Sequence, residues 1–190
     1  HSLDIKVQYI KADECSAFMR SLKNVLLTCT NLSNLKLDVH MPSGGCVIYG
    51  IPGVYHGLGF TGDEKPPALE ELDLIAYPFG SRWHDRGQPS SIDYPADIDE
   101  INRWAELFDW SNLKKLSLLA YPEELLDLLC PRLTALKEFT YYGTLDDPSV
   151  LSSIPSSLSS IAFTPDRDFD IDLQRHGATL RKLTLHGEED

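Results

Sequence analysis

The chain has 190 residues, 42% of them hydrophobic and 24% charged, which is ordinary globular composition and enough for one substantial core. Its 29 acidic against 17 basic residues leave a formal net charge of -12, which repels a phosphate backbone and excludes nucleic acid as the expected partner. No apolar run approaches the roughly 20 residues of a spanning helix, and the opening residues HSLDIKV carry neither the basic lead nor the apolar region of a signal peptide, so no membrane partner is expected.

Taken in chain order, Leu3, Ile5 and Val7 alternate with polar residues as a half-buried strand does. A helix is predicted to begin near Asp13, with Phe18, Leu22, Val25 and Cys29 along one face. Then comes the word Leu-x-x-Leu-x-Leu at Leu32, Leu35 and Leu37. Allowing Ile or aromatic residues at the Leu positions, it returns at Leu69, Leu72, Leu74; Leu113, Leu116, Leu118; Leu136, Phe139, Tyr141; Leu158, Ile161, Phe163; and Leu180, Leu183, Leu185. The steps between first positions are 37, 44, 23, 22 and 22 residues, so the second half is regular and the first half carries insertions, at about 41–67 and 79–96. Between the words, Ile98, Ile101, Ala105 and Phe108 mark a second helix, with Asp97 and Glu100 spaced as a capping box. Pro122 before EELLDLL and Asp147 before Pro148 signal further helical starts. Gly143, Gly177 and Gly187 supply breaks.

A 22-residue step built on this word implies a stack of strand-plus-helix units. Strands stack about 4.8 Å apart and packed helices about 8 to 10 Å, so such a stack bends. The predicted fold is therefore α/β: a leucine-rich-repeat solenoid of about six irregular repeats, with a curved parallel sheet on the concave side and helices or turns on the convex side. Residues 1–190 are expected to form one domain. Opening on His1 and stopping a few residues after a strand-like segment, the chain is expected to be a piece of a longer protein.

The segments CTNLSNLKL, Cys29 to Leu37, and CPRLTAL, Cys130 to Leu136, resemble the cysteine-containing leucine-rich repeats of F-box-associated, ribonuclease-inhibitor-like proteins, with an irregularity most similar to fungal F-box proteins. The resemblance implies a substrate-recognition portion of an F-box ubiquitin-ligase receptor, and a cullin-ligase adaptor bound through a segment outside this chain. Two departures stand against the common pattern: the Asn that usually follows the strand is missing, and nothing before Cys29 leaves room for an F-box. The four cysteines contain no CxxC pair, and Cys29 and Cys130 are read as buried thiols of a reducing, intracellular compartment, cytoplasmic or nuclear.

Strand alternation assigns the displayed inner face. It comprises Asn34, Lys36 and Asp38; Glu71, Asp73, Ile75 and Tyr77; Lys115, Ser117, Leu119 and Tyr121; Glu138, Thr140 and Tyr142; Ser160, Ala162 and Thr164; Lys182, Thr184 and His186. Both insertions follow a strand and should leave from one rim, and the second holds Arg82, Trp83 and His84. Trp, Tyr and Arg dominate many interfaces, so Tyr77, Tyr121, Tyr142, Arg82 and Trp83 are predicted to form part of a contact surface for another protein. The bland alternative, given even weight, is that the insertions fold back and cap the early repeats.

Chemistry finds no comparable signal, and neither enzyme activity nor a cofactor is expected. GLGFTG, Gly57 to Gly62, matches a dinucleotide fingerprint by letters, but Asp-Glu-Lys-Pro-Pro follows where a helix must open, so a flexible surface loop is expected. DRDFDID, Asp166 to Asp172, lacks the Gly and Glu of a calcium loop and reads as a solvated turn. The sequon at Asn31 contains the repeat residue Leu32. The histidines show no metal-ligand spacing, are expected mostly on the surface, and imply no metal. The rival class is an enzyme or small-ligand receptor with a pocket between the insertions, using His56, His84 or Asp85. A purely structural segment of a larger assembly is the third.

Overall fold

A computed structural model describes residues 1–8, 12–40, 57–77, 98–119, 123–145, 148–165 and 173–187. Seven strands form one open, all-parallel sheet in sequence order, β1 to β7: Ser2–Gln8, Asn34–His40, Glu71–Ala76, Lys115–Leu119, Glu138–Leu145, Ser160–Pro165 and Lys182–Leu185. Every Leu-x-Leu half-word lies on a strand, and the weak opening copy is β1. The chain is thus α/β with a parallel sheet, compatible with a solenoid-like path.

Register follows the leucines. Leu3, Leu35, Leu72, Leu116, Phe139, Ile161 and Leu183 stand opposite one another across all seven strands. A second row runs Ile5, Leu37, Leu74, Leu118 and Tyr141. A one-residue slip would turn either row to the wrong face, so burial holds the register. A repeated backbone device starts each strand: the carbonyl of His1 accepts from the N–H groups of Ser33 and Asn34, that of Ser33 from Glu70 and Glu71, that of Glu70 from Lys114 and Lys115, and so on through Lys137 and Ser159 to Arg181 and Lys182.

Helices α1 (Ala12–Thr28), α2 (Ile98–Leu107) and α3 (Glu123–Leu129) pack on the leucine face. They bury Met19, Leu22 and Leu26; Ile101, Trp104 and Ala105; and Leu125, Leu126 and Leu129. Shorter 3₁₀ turns at Trp110–Asn112, Cys130–Arg132 and Pro148–Ser153 do the same work in the tighter repeats, the last in place of the helix signalled at Asp147 and Pro148. Buried carbonyls in the last turn of α2 are met from the next repeat. Trp110 Nε1 donates to Trp104 O and Ala105 O, 3.2 Å each, and Arg132 also donates to Ala105 O.

Several expectations need correction. Val25 is 39% exposed and Cys29 is exposed, so the buried face of α1 runs through Met19, Leu22 and Leu26 and the Cys29 thiol is not a core group. Cys130 is fully buried as expected; burial, with Asp127 nearby, pushes its thiol up to about 12. Leu183 and Leu185 lie on the edge strand and are about half exposed, because no described strand stacks beyond β7. His176, expected at the surface, is fully buried. Its Nδ1 accepts from Leu158 N–H at 3.3 Å and its Nε2 lies 3.3 Å from Leu151 O, pinning the turn before β7 to two neighbouring segments.

Candidate protein-binding face

The side of the sheet away from the helices presents the alternate residues of each strand, and these fall into rows across the strands. The first row runs Ser2, Asn34, Glu71, Lys115, Glu138, Ser160, Lys182, and the second Asp4, Lys36, Asp73, Ser117, Thr140, Ala162, Thr184. Toward β1 two ion pairs form, while Asp4 is exposed and in none of the ion pairs among the described residues. Lys36 Nζ lies 3.4 Å from Asp73 Oδ2 and Lys6 Nζ 3.2 Å from Asp38 Oδ2. Glu71, Lys115, Glu138 and Lys182 are exposed and take part in none of the ion pairs among the described residues. Beside them, a shallow depression of about 170 Å³ is lined by residues that include Asp4, Asn34, Lys36, Glu71, Asp73 and Lys115.

Not every residue assigned to this face is displayed on it. Asp38 is 4% exposed beneath Lys6, and Ser117 is 5% exposed between longer neighbours. Lys36 and Asp73 are half-buried, and so is Thr140; Tyr142 is 44% exposed, its ring centroid 6.4 Å from that of His186.

Tyr77 is the clear correction: it is 4% exposed and belongs to the core. Asp38 pairs with Ala76 rather than with Ile75, so β3 carries one extra residue after Leu74. A bulge of one residue inverts the alternation that follows it, and Tyr77 turns toward the helices. There its hydroxyl donates to Glu100 Oε1 at 2.6 Å and accepts from Leu58 N–H at 2.6 Å and Trp104 Nε1 at 3.2 Å. Glu100 Oε1 also accepts from Leu58 N–H at 2.9 Å and Trp104 Nε1 at 3.0 Å. Desolvation first, and then the Glu100 charge and hydrogen bond, raise the Tyr77 hydroxyl well above its ordinary value, so it stays protonated as a donor. Glu100 therefore directs a carboxylate oxygen into the core, beyond the capping role assigned from spacing.

The described part of the first insertion, residues 57–67, folds against the helices instead of forming a flexible surface loop. Leu58 is 3% and Phe60 0% exposed, because the aromatic side chains of α2 offer them an apolar seat. Phe60 meets Trp104 edge-on at 6.3 Å and Phe108 at 5.7 Å, while Trp104 stacks on Phe108 at 4.6 Å. Gly57 is required where it stands, since a Cβ there would collide with Glu100 and the Tyr77 hydroxyl. Outside this plug Lys23 Nζ donates to Gly59 O at 2.7 Å and pairs with Glu64 at 2.6 Å. The Lys23 hydrogen bond, helped by the N–H of Thr61, holds the Glu64 carboxyl down at about 2. For this stretch the capping alternative describes what the insertion does.

Arg82, Trp83, His84 and Tyr121 lie outside the described residues, as do His56, Asp85 and the 166–172 segment. β2 and β3, the strands that precede the two insertions in the chain, are parallel and so end on the same side of the sheet. Among the described residues no group of three or more His, Cys, Asp or Glu converges as a metal site would, and no helix is long and apolar enough to cross a membrane. No protein-family model, curated protein or solved structure matches the chain.

Proposed function

We propose that this chain is a leucine-rich-repeat solenoid that recognises another protein non-covalently through the open face of its sheet, and that it catalyses no reaction. The observation that carries this reading is the contrast within single strands. On β3, β4 and β5 the leucine side is buried in the core, and the other side displays the unpaired charges Glu71, Lys115 and Glu138 beside the exposed Tyr142. Exposed charges fix partner choice and orientation more than they add affinity, and an exposed tyrosine supplies apolar area with a polar tip.

The concrete version is a substrate-recognition segment of an intracellular F-box ubiquitin-ligase receptor, with the adaptor bound elsewhere in the parent protein. It rests on the Cys29 to Leu37 and Cys130 to Leu136 resemblance alone. Affinity purification of the parent protein tests both levels. A cullin-ligase adaptor should accompany it, together with a stoichiometric second protein whose capture is lost when Glu71, Lys115, Glu138 and Tyr142 are all changed to Ala. Purification without any ligase component removes the concrete version, and undiminished capture by the alanine variant removes the face as the binding surface.

A further inference from the structure

We propose that the occupant of the open face is an α-helix laid across the strands, carrying a cation, an anion and a second cation on successive turns of the side it presents. This deepens the protein-binding reading and rests on it. Glu71, Lys115 and Glu138 are directly opposite one another on β3, β4 and β5, and the row continues through Ser160 to Lys182 on β7. The sign order is therefore minus, plus, minus, neutral, plus. All four charges are exposed and unpaired, whereas the neighbouring charges Lys36 and Asp73 form an ion pair with each other.

The spacing selects the partner's secondary structure. Strands about 4.8 Å apart place the first three charges at roughly 0, 4.8 and 9.6 Å and Lys182 at about 19 Å. A helix with 3.6 residues per turn, rising 1.5 Å per residue, brings positions i, i+3, i+7 and i+14 to roughly 0, 4.5, 10.5 and 21 Å, all within about 60° of one another around its axis. An extended segment crossing the strands repeats its side chains about every 6.8 Å on one side, and is out of step by about 4 Å at the third charge. An added edge strand would run along the sheet strands and never meet the row.

The width agrees with the spacing. On the far side of the short residues Ser117 and Thr140 stand Leu119 and Tyr142, paired across β4 and β5. Four residues along a strand separate this apolar wall from the charged one by about 13 Å, close to the diameter of about 10 to 12 Å of a helix with its side chains. The helix would meet the charged wall with its ionic side and Tyr142 with an apolar one.

The test uses fluorescein-labelled, alanine-based 18-residue peptides and fluorescence anisotropy at low salt. The matched peptide carries lysine, glutamate and lysine at i, i+3 and i+7 with glutamate at i+14. The others have every charge reversed, the same composition in scrambled order, or the matched pattern interrupted by a central proline. The matched peptide should bind about tenfold more tightly than the reversed one, as a few exposed ion pairs gained in one case and opposed in the other imply. A triple variant, Glu71→Lys with Lys115→Glu and Glu138→Lys, should invert that preference while keeping its circular dichroism and melting temperature. Matched and reversed peptides within twofold of each other, a preference the variant leaves unchanged, equal binding of the proline-broken peptide, or no binding of the matched peptide up to millimolar overturns the helix assignment. If that happens while the four-alanine variant still loses its captured partner, the face reading stands without the helix; if capture is undiminished, the face reading itself has failed.

Discussion

The two faces of the sheet are built from the same seven strands, one residue out of step, and they obey different rules. On the helix side every rung from β2 to β6 is closed: Leu35, Leu72, Leu116, Phe139 and Ile161 are at most 2% exposed. On the other side neighbours differ in sign, size and exposure, and some charges are paired while others are not. The first face fixes the path of the chain, because each apolar side chain is covered only by the repeats beside it. The second is freer to vary, because few of its described side chains besides Asp38 and Ser117 are buried, and it is there that the proposed partner would be read.

The contrast breaks if substitutions on the two faces cost the same. The largest effect is expected from Leu116→Ala, which empties a fully buried site and should destabilise by about 2–5 kcal/mol. Its neighbour Lys115→Ala removes an exposed, unpaired side chain and should stay within about 0.5 kcal/mol. Urea unfolding of the two variants measures the difference, and equal shifts in midpoint would contradict the face assignment.

Next in size is the buried polar cluster by which the first insertion is joined to α2. Glu100→Ala leaves the donors of Tyr77, Leu58 and Trp104 short of their shared acceptor and should cost roughly 2–4 kcal/mol, given about 1–3 kcal/mol for an orphaned buried donor. Tyr77→Phe removes one member and should cost about 1 kcal/mol. A Tyr77→Phe variant as stable as the parent, but deficient in partner capture, would return Tyr77 to the binding surface and refute its burial.

A smaller, pH-dependent effect sharpens the account of the plug. With its pKa lowered from 4.5 to about 2 in the folded chain, Glu64 contributes stability in full above pH 4.5 and loses it as pH falls toward about 2. The stability difference between the parent and Glu64→Gln should shrink across that window. A difference that stays constant from pH 7 to pH 3 would show that the Lys23 pair does not hold the insertion.

Legibility in the sequence tracked how local the governing physics was. All seven strands and their common register were readable, because period-two leucines repeat in a fixed word and burial permits one register. Much of the open face was readable for the same reason, including Glu71, Lys115, Glu138 and Tyr142. Tyr77 was not, since LDLIAYP alternates on paper and nothing in those letters announces an extra residue after Leu74. A usable signal existed elsewhere: Glu100 precedes Trp104 by four residues on the apolar face of α2, and a carboxylate there requires a buried donor to meet it. Leu58 and Phe60 were hidden by a Gly-rich stretch that looks like a loop in isolation and becomes core only once the α2 aromatics are in place. Cys29 and Cys130 occupy the same point of the repeat word, yet one is exposed and the other buried, because a repeat position is protected only when the neighbouring repeat covers it.

The most direct test of the two-faced sheet needs no mutation. Tyr141 and Tyr142 are adjacent residues of one type on β5, 4% and 44% exposed. Hydroxyl-radical footprinting of the native protein, read by peptide mass spectrometry, should modify Tyr142 readily and leave Tyr141 nearly untouched until the chain unfolds. Equal modification of the two, or faster modification of Tyr141, would contradict the alternation on which both the core and the proposed binding face depend.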